Sequence, residues 1–198
     1  MRNGGCRRAP ALAGWRGQPR ATFRSWPDRS QRAPPSSETP YDFPVDTEER
    51  GRLIRQYRDG YREVTEALKG ITDDELDRSA DGDWTPRQIA HHLADSEMMS
   101  AIRIRRLLAE AEPVIYGYDE KAFAERLTSD RPIAPSLEAM RWARETCSQL
   151  LDRMTEADWR IVGTHTESGR YGTEDWLKIY AVHAHDHAAQ ITRARGIS

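Results

Sequence analysis

The stretch DWTPRQIAHHLADSE, residues 83–97, decides the fold class. Thr85 is a hydroxyl side chain able to accept the first free backbone N–H groups of a helix, Pro86 suits the first helical position, and Gln88 completes a reciprocal capping box. Behind this start, Ile89, Leu93, Ile104 and Leu107 recur at the 3.6-residue period, so the spacing predicts a helix ending near Glu112, before Pro113. Working outward, "DTEE" starts a first helix near Asp46. It runs to about Lys69 with Leu53, Ile54, Tyr57, Tyr61, Val64 and Leu68 on one face. A third helix follows "RPIAP", from Ser136 to about Met154, and a fourth runs from Thr173 to about Arg195. The stretch YGYDEKAFAERL, residues 116–127, reads as a long crossover holding a short helix, and no segment reads as a strand. Four long helices with a crossover predict an all-α four-helix bundle.

The chain has 198 residues, enough for one ordinary domain, and no run of eighteen apolar residues. Its net charge of −2 hides an asymmetry: residues 1–40 carry a net +6 and residues 41–198 a net −8. Residues 1–40, rich in Arg, Pro, Gly and Ser without periodicity, are expected to form a disordered tail, with the domain spanning 41–198. A start assigned upstream of the domain explains that tail more plainly than targeting or nucleic-acid binding. Neither a nucleic acid nor a membrane is expected as partner. With Cys6 in the tail and Cys147 in a helix, no disulfide is expected, and a reducing cytoplasm fits.

Three of the six histidines stand at alternate positions in AVHAHDHAAQI, residues 181–191. On a helical wheel Trp176, Ile179, Tyr180, Ala184 and Ile191 form the apolar face, with His183 and His187 at its centre and His185 on the opposite, solvated side. On the second helix His92 lies at the edge of the apolar face while His91 points away from it; His92 is the better inward candidate and His91 the alternative. Two histidines four residues apart place their rings one turn from each other, and a third from a facing helix completes a three-histidine set with open positions. The competing expectation, core histidines bonded to polar partners, leaves several ring nitrogens to satisfy in a dry interior. The set also lacks the Glu of an HExxH motif, since Ala184 follows His183.

These residues carry a resemblance. The segments at 84–103, 118–125 and 180–191 fall in the order seen in the DinB-like superfamily of metal-binding four-helix bundles, and most resemble its YfiT-type branch, over about residues 41–195. The resemblance implies one divalent transition metal ion, nickel or zinc foremost, on His92 (or His91), His183 and His187. It also implies either of two activities: transfer of a low-molecular-weight thiol to an electrophilic substrate, which is favoured, or metal-dependent hydrolysis. A non-catalytic metal- or ligand-binding module is the alternative from another class. A cation on three neutral imidazoles keeps its charge and acidifies whatever water or thiol it binds.

Asp95 and Asp186 lie beside the expected ligand faces and are candidates to orient the imidazoles. Cys147 shares a face with Met140, Leu151 and Met154 and reads as a core thiol. His165 reads as a surface residue of a turn-rich loop, Tyr118, Asp119 and Glu120 match the family stretch without a derived role, and Trp84, Trp142, Trp159 and Trp176 read as packing residues. A homodimer is compatible with such a bundle.

Overall fold

The computed structural model describes residues 45–79 and 82–196; the expected disordered tail and Cys6 lie outside the described residues. Four long helices make the body: α1 (Thr47–Ala67), α3 (Pro86–Ala109), α5 (Ala134–Leu151) and α7 (Thr173–Arg195). Between them lie the short helices α2 (Asp73–Leu76), α4 (Glu120–Arg126) and α6 (Glu156–Trp159), and the strands β1 (Val114–Ile115), β2 (Val162–His165) and β3 (Gly169–Gly172). Among the described residues no helix is long and apolar enough to cross a membrane.

The caps act where the sequence places them. Asp46 accepts from Glu49 N at 2.8 Å, and the box at α3 closes with Gln88 N donating to Thr85 Oγ1 at 3.2 Å and Thr85 N to Gln88 Oε1 at 2.9 Å. At the far end of α7, Gly196 takes a left-handed conformation, φ 69°, which lets the chain leave the helix without a Cβ clash.

Side-chain register sets the helix directions. Tyr57 meets Trp176 with ring centroids 5.1 Å apart, while Arg195 bonds the carbonyls of Ala67 and Lys69, so α1 and α7 run parallel. His91 meets Ser136, Glu97 meets Arg144 and Arg105 meets Cys147, so α3 and α5 are parallel too. Trp176 donates to the Ser100 carbonyl while His183 meets His92, which makes α7 antiparallel to α3. Two consecutive long helices that run parallel force the chain between them to return along the bundle, and residues 110–133 are that crossover.

The all-α expectation holds for the bundle and misses a small sheet. β2 and β3 form an antiparallel hairpin, Val162 opposite Gly172 and His165 opposite Gly169, and β1 from the crossover pairs parallel to β2. The strands have two to four residues, and Gly163, Gly169 and Gly172 interrupt any apolar alternation, so no period-2 signal marks them. Gly163 permits the contact with the crossover, since a Cβ there would stand 2.4 Å from the Pro113 carbonyl oxygen. The helix ends shift modestly: α3 stops at Ala109 rather than Glu112, and α5 spans Ala134–Leu151 rather than reaching Met154.

The core divides in two. Leu53, Tyr57, Ile104, Leu107, Cys147 and Trp176 belong to one apolar cluster, and Val64, Ile89, Leu93, Met140, Ala184 and Ile191 to the other. Between them Arg144 bonds Glu97, both almost fully buried. Its guanidinium also donates to the carbonyls of Tyr57 and Tyr180 and lies 4.0 Å above the Tyr57 ring. Cys147 is a buried core thiol, as its spacing predicts. Ile179, by contrast, is exposed rather than part of the apolar face, and Trp142 is an exposed residue under Arg141 rather than a packing residue.

Removing one member of a buried pair strands the other's charge, so Glu97→Ala is expected to cost about 3–5 kcal/mol. Glu97→Leu with Arg144→Met is expected to lose less than Glu97→Ala alone, because no charge is then left unpaired. Chemical denaturation of the three proteins checks this; a double variant less stable than Glu97→Ala would contradict it.

Candidate metal centre

α3 and α7 cross where His92 faces His183 and His187. One ring nitrogen from each of the three lies within 4.8 Å of the other two, and His92 Nε2 stands 3.2 Å from His183 Nε2. The ring centroids are 4.6–5.2 Å apart. Two nitrogens on one tetrahedral ion with bonds of about 2.0–2.1 Å stand about 3.3 Å apart, so the His92–His183 separation already fits a cation. His187 needs only a small inward movement.

The protonation states suit the same purpose. Burial and the neighbouring histidines push His92 down to about 4 and His183 down to about 3, and burial lowers His187. All three are therefore neutral near pH 7 and present lone pairs. The His183 ring is also lowered by the charge of Arg144 from the bundle centre. His187 Nδ1 donates to Gln190 Oε1 at 2.8 Å, since an amide oxygen only accepts, and this leaves Nε2 free to ligate. His183 presents Nε2 to His92, and its other nitrogen, Nδ1, is buried with no partner. Trp84, half-buried just before α3, has its ring centroid 4.8 Å from that of His92 and stacks over His187 at 6.3 Å. It is a wall of the site as well as a packing residue.

The DinB superfamily matches residues 56–191 of the chain. The chain belongs to this superfamily. Among its curated relatives in the family, "Putative metal-dependent hydrolase YfiT" of Bacillus subtilis is 34% identical over 152 residues, 75% of this chain and 85% of the relative. A protein of Oceanobacillus iheyensis, also named a "Putative metal-dependent hydrolase", is 33% identical over 76% of this chain and 91% of its own length. The solved structure of YfiT from Bacillus subtilis, described as a "probable metal-dependent hydrolase with an unusual four-helix bundle topology", matches with a TM-score of 0.72 and 29% identity. That match covers 84% of this chain and 95% of the other.

The other histidines of this DinB-superfamily chain are accounted for individually. His91 is buried, not turned out: Ser136 Oγ donates to its Nδ1 at 2.7 Å and its Nε2 donates to the Arg131 carbonyl at 3.3 Å, so both nitrogens are used. It is a core histidine, which leaves His92 as the residue of α3 that joins the set. His185 is half-buried rather than fully turned to solvent; its Nε2 donates to the Gln56 carbonyl at 2.9 Å and ties α7 to α1. His165 is buried in β2 rather than on the surface, where Nδ1 accepts from the backbone of Glu167 and Ser168 and stiffens the hairpin turn.

Neither expected carboxylate bonds an imidazole among the described residues. Asp186 is exposed and acts on His187 only through its charge. Asp95 is half-buried, its Oδ2 has no partner, and burial raises its carboxyl above the usual range. Gln190, which does orient His187, was missed; its position three residues after a ligand candidate was the available signal.

In the metal-free protein the unfolded chain takes up protons on His92 and His183 that the folded chain refuses. Stability is therefore complete above about pH 6.5 and falls as the pH drops toward 4 and then 3. Urea denaturation at pH 7.5 and 5.0 is expected to differ by on the order of 2 kcal/mol from such a histidine, and His183→Ala is expected to flatten the profile. A profile equally steep in that variant would contradict the assignment.

Proposed function

We propose that the chain is a metal-dependent enzyme that holds one divalent transition metal ion, nickel or zinc foremost, on His92, His183 and His187. The observation that carries this reading is the convergence of three neutral imidazoles from two helices, His92 buried and His183 and His187 half-buried, with the Nε2 atoms of His92 and His183 at 3.2 Å. A cation bound there leaves open positions and supplies Lewis acidity that lowers the pKa of a bound nucleophile. The chain's own residues keep the imidazoles unprotonated by burial, orient His187 through Gln190 and exclude water on the side covered by Trp84.

Hydrolysis is the activity named for the relatives, and it requires a base for water. Asp95 is the residue suited to that role: it follows His92 by three positions, is half-buried, and has a raised carboxyl pKa and an unpartnered oxygen. The second reading is transfer of a low-molecular-weight thiol, in which a sulfur–carbon bond forms as the electrophile's leaving group departs. An acidified thiol needs no further base, so this reading makes no demand on Asp95.

Protein purified without chelators or a polyhistidine tag is expected to contain about one equivalent of metal by plasma mass spectrometry. His183→Ala and His187→Ala are expected to lose it, His185→Ala to retain it, and Gln190→Ala to bind about 10–100-fold more weakly. Equal retention in all variants would remove the site. Asp95→Asn separates the chemistries: it is expected to abolish ester or amide hydrolysis and to spare conjugation of a thiol to an aryl chloride.

A further inference from the structure

Buried polar groups in folded proteins nearly always find partners, so the exceptions carry information. Among the described residues, the unpartnered buried side-chain atoms belong to α3, α7, the crossover and the hairpin, with Arg50 Nε of α1 as the one exception. Asp95 Oδ2, Ser100 Oγ and Arg103 Nε belong to α3, His183 Nδ1 to α7, and Tyr118 Oη and Tyr171 Oη to the crossover and hairpin. His183 belongs to the metal centre already described, and Asp95 is the base of the hydrolysis proposed above. The remainder have no role in it.

Arg103 is the centre of this second group. Its Nη1 donates to Tyr180 Oη at 2.9 Å and its Nη2 to the Tyr116 carbonyl at 3.0 Å, while Nε has no acceptor. Among the described residues no carboxylate lies within ion-pair distance of it; Glu120 feels its charge from farther away. The Tyr171 hydroxyl, 4% exposed, lies close enough to Arg103 for its charge and a loose hydrogen-bonding contact to act on it, Tyr118 feels the same guanidinium and Ser96, and neither hydroxyl has a partner in well-formed hydrogen-bond geometry. An unpaired guanidinium with an open donor, beside two phenol hydroxyls without acceptors, is a donor set that lacks its oxyanion. Tyr180 connects the two places: its hydroxyl takes the Arg103 bond, and its ring centroid lies 6.1 Å from that of His183.

We propose that Arg103, Tyr118 and Tyr171 bind an oxyanion, a carboxylate or phosphate group, carried by the substrate whose reacting end meets His92, His183 and His187. The binding step stands on the Arg103 cluster alone; its connection to a substrate rests on the metal-dependent reading above. A small molecule with an anionic group several bonds from its reactive atom is the ligand class that spans both places.

The test uses the full chain, metal-free and metal-loaded, with succinate, its neutral diamide and inorganic phosphate as probes in calorimetry and thermal melts. Saturable binding of succinate or phosphate, but not of the diamide, is expected in the metal-free protein, and the tighter of the two anions identifies the oxyanion. Arg103→Gln is expected to weaken it at least 10-fold. Tyr171→Phe and Tyr118→Phe, which remove hydroxyls without a well-formed bond, are expected to keep or raise the anion-free melting temperature while weakening the anion about 3–10-fold. Arg141→Gln, a surface control, is expected to bind as the wild type. Absence of saturable anion binding, or equal binding in the wild type and both phenylalanine variants, would overturn the proposal. Anion binding in a protein that takes up no metal would instead overturn the metal-dependent reading and leave the oxyanion site standing.

Discussion

The Arg144–Glu97 pair is the interaction on which the bundle's arrangement depends. Arg144 leaves α5, bonds Glu97 of α3, and donates to backbone carbonyls of α1 at Tyr57 and α7 at Tyr180, so one side chain joins all four long helices at a single level. Taking a guanidinium and a carboxylate out of water costs several kcal/mol per ion, and only near-complete hydrogen bonding offsets this. The offset is available in one helix register. Sliding α1 or α7 by a residue would carry the carbonyls of Tyr57 or Tyr180 away from the guanidinium and strand the charge. Gly60 answers to the same constraint, since a Cβ there would stand 2.7 Å from both Ala184 Cβ and Arg144 Nη2. The approach of α1 to α7 and the passage of Arg144 between them use the same missing side chain.

That register has a consequence one turn away. Fixing Tyr180 against Arg144 fixes the rotation of α7, and His183 and His187 then project from the same helix toward His92 rather than toward solvent. The positive charge of Arg144 also disfavours a proton on His183. The structural pair and the candidate metal centre are therefore coupled electrostatically as well as mechanically.

Legibility in the sequence followed the range of the interaction. α7 runs from Thr173 to Arg195, as its spacing predicts, and the boxes at Thr85 and the cap at Asp46 are local devices written within four residues. The inward turn of His183 and His187 is equally local, because it depends on helix periodicity alone. What escaped was set by partners distant in the chain. His91 is buried because Ser136 and the Arg131 carbonyl, about 40 residues away, satisfy it, and His185 is half-buried because α1 offers the Gln56 carbonyl. The wheel that turned both outward counted only apolar neighbours and had no place for a polar partner on another helix. The sheet escaped because its pairing joins the crossover to the hairpin, whose strands are too short and too rich in glycine for a period.

The distribution of unsatisfied groups separates structure from function in this fold. At Arg144 and Glu97 the polar groups are bonded, whereas among the described residues Arg103 Nε, Tyr118 Oη and Tyr171 Oη, on α3, the crossover and the hairpin, have no well-formed bond. An unmet buried donor costs about 1–3 kcal/mol. Several on one face amount to a stability penalty that apolar substitution would relieve, so retaining them there has a physical rationale only if a ligand completes them. Local rules of satisfaction tend to be broken at functional sites, although Arg50 Nε, in an ion-paired structural residue of α1, is also without a partner. The crossover and hairpin bring Tyr118 and Tyr171 beside Arg103 of α3, and this gives the helix order a chemical reason: a plain up-and-down bundle would have no chain there to supply the two hydroxyls.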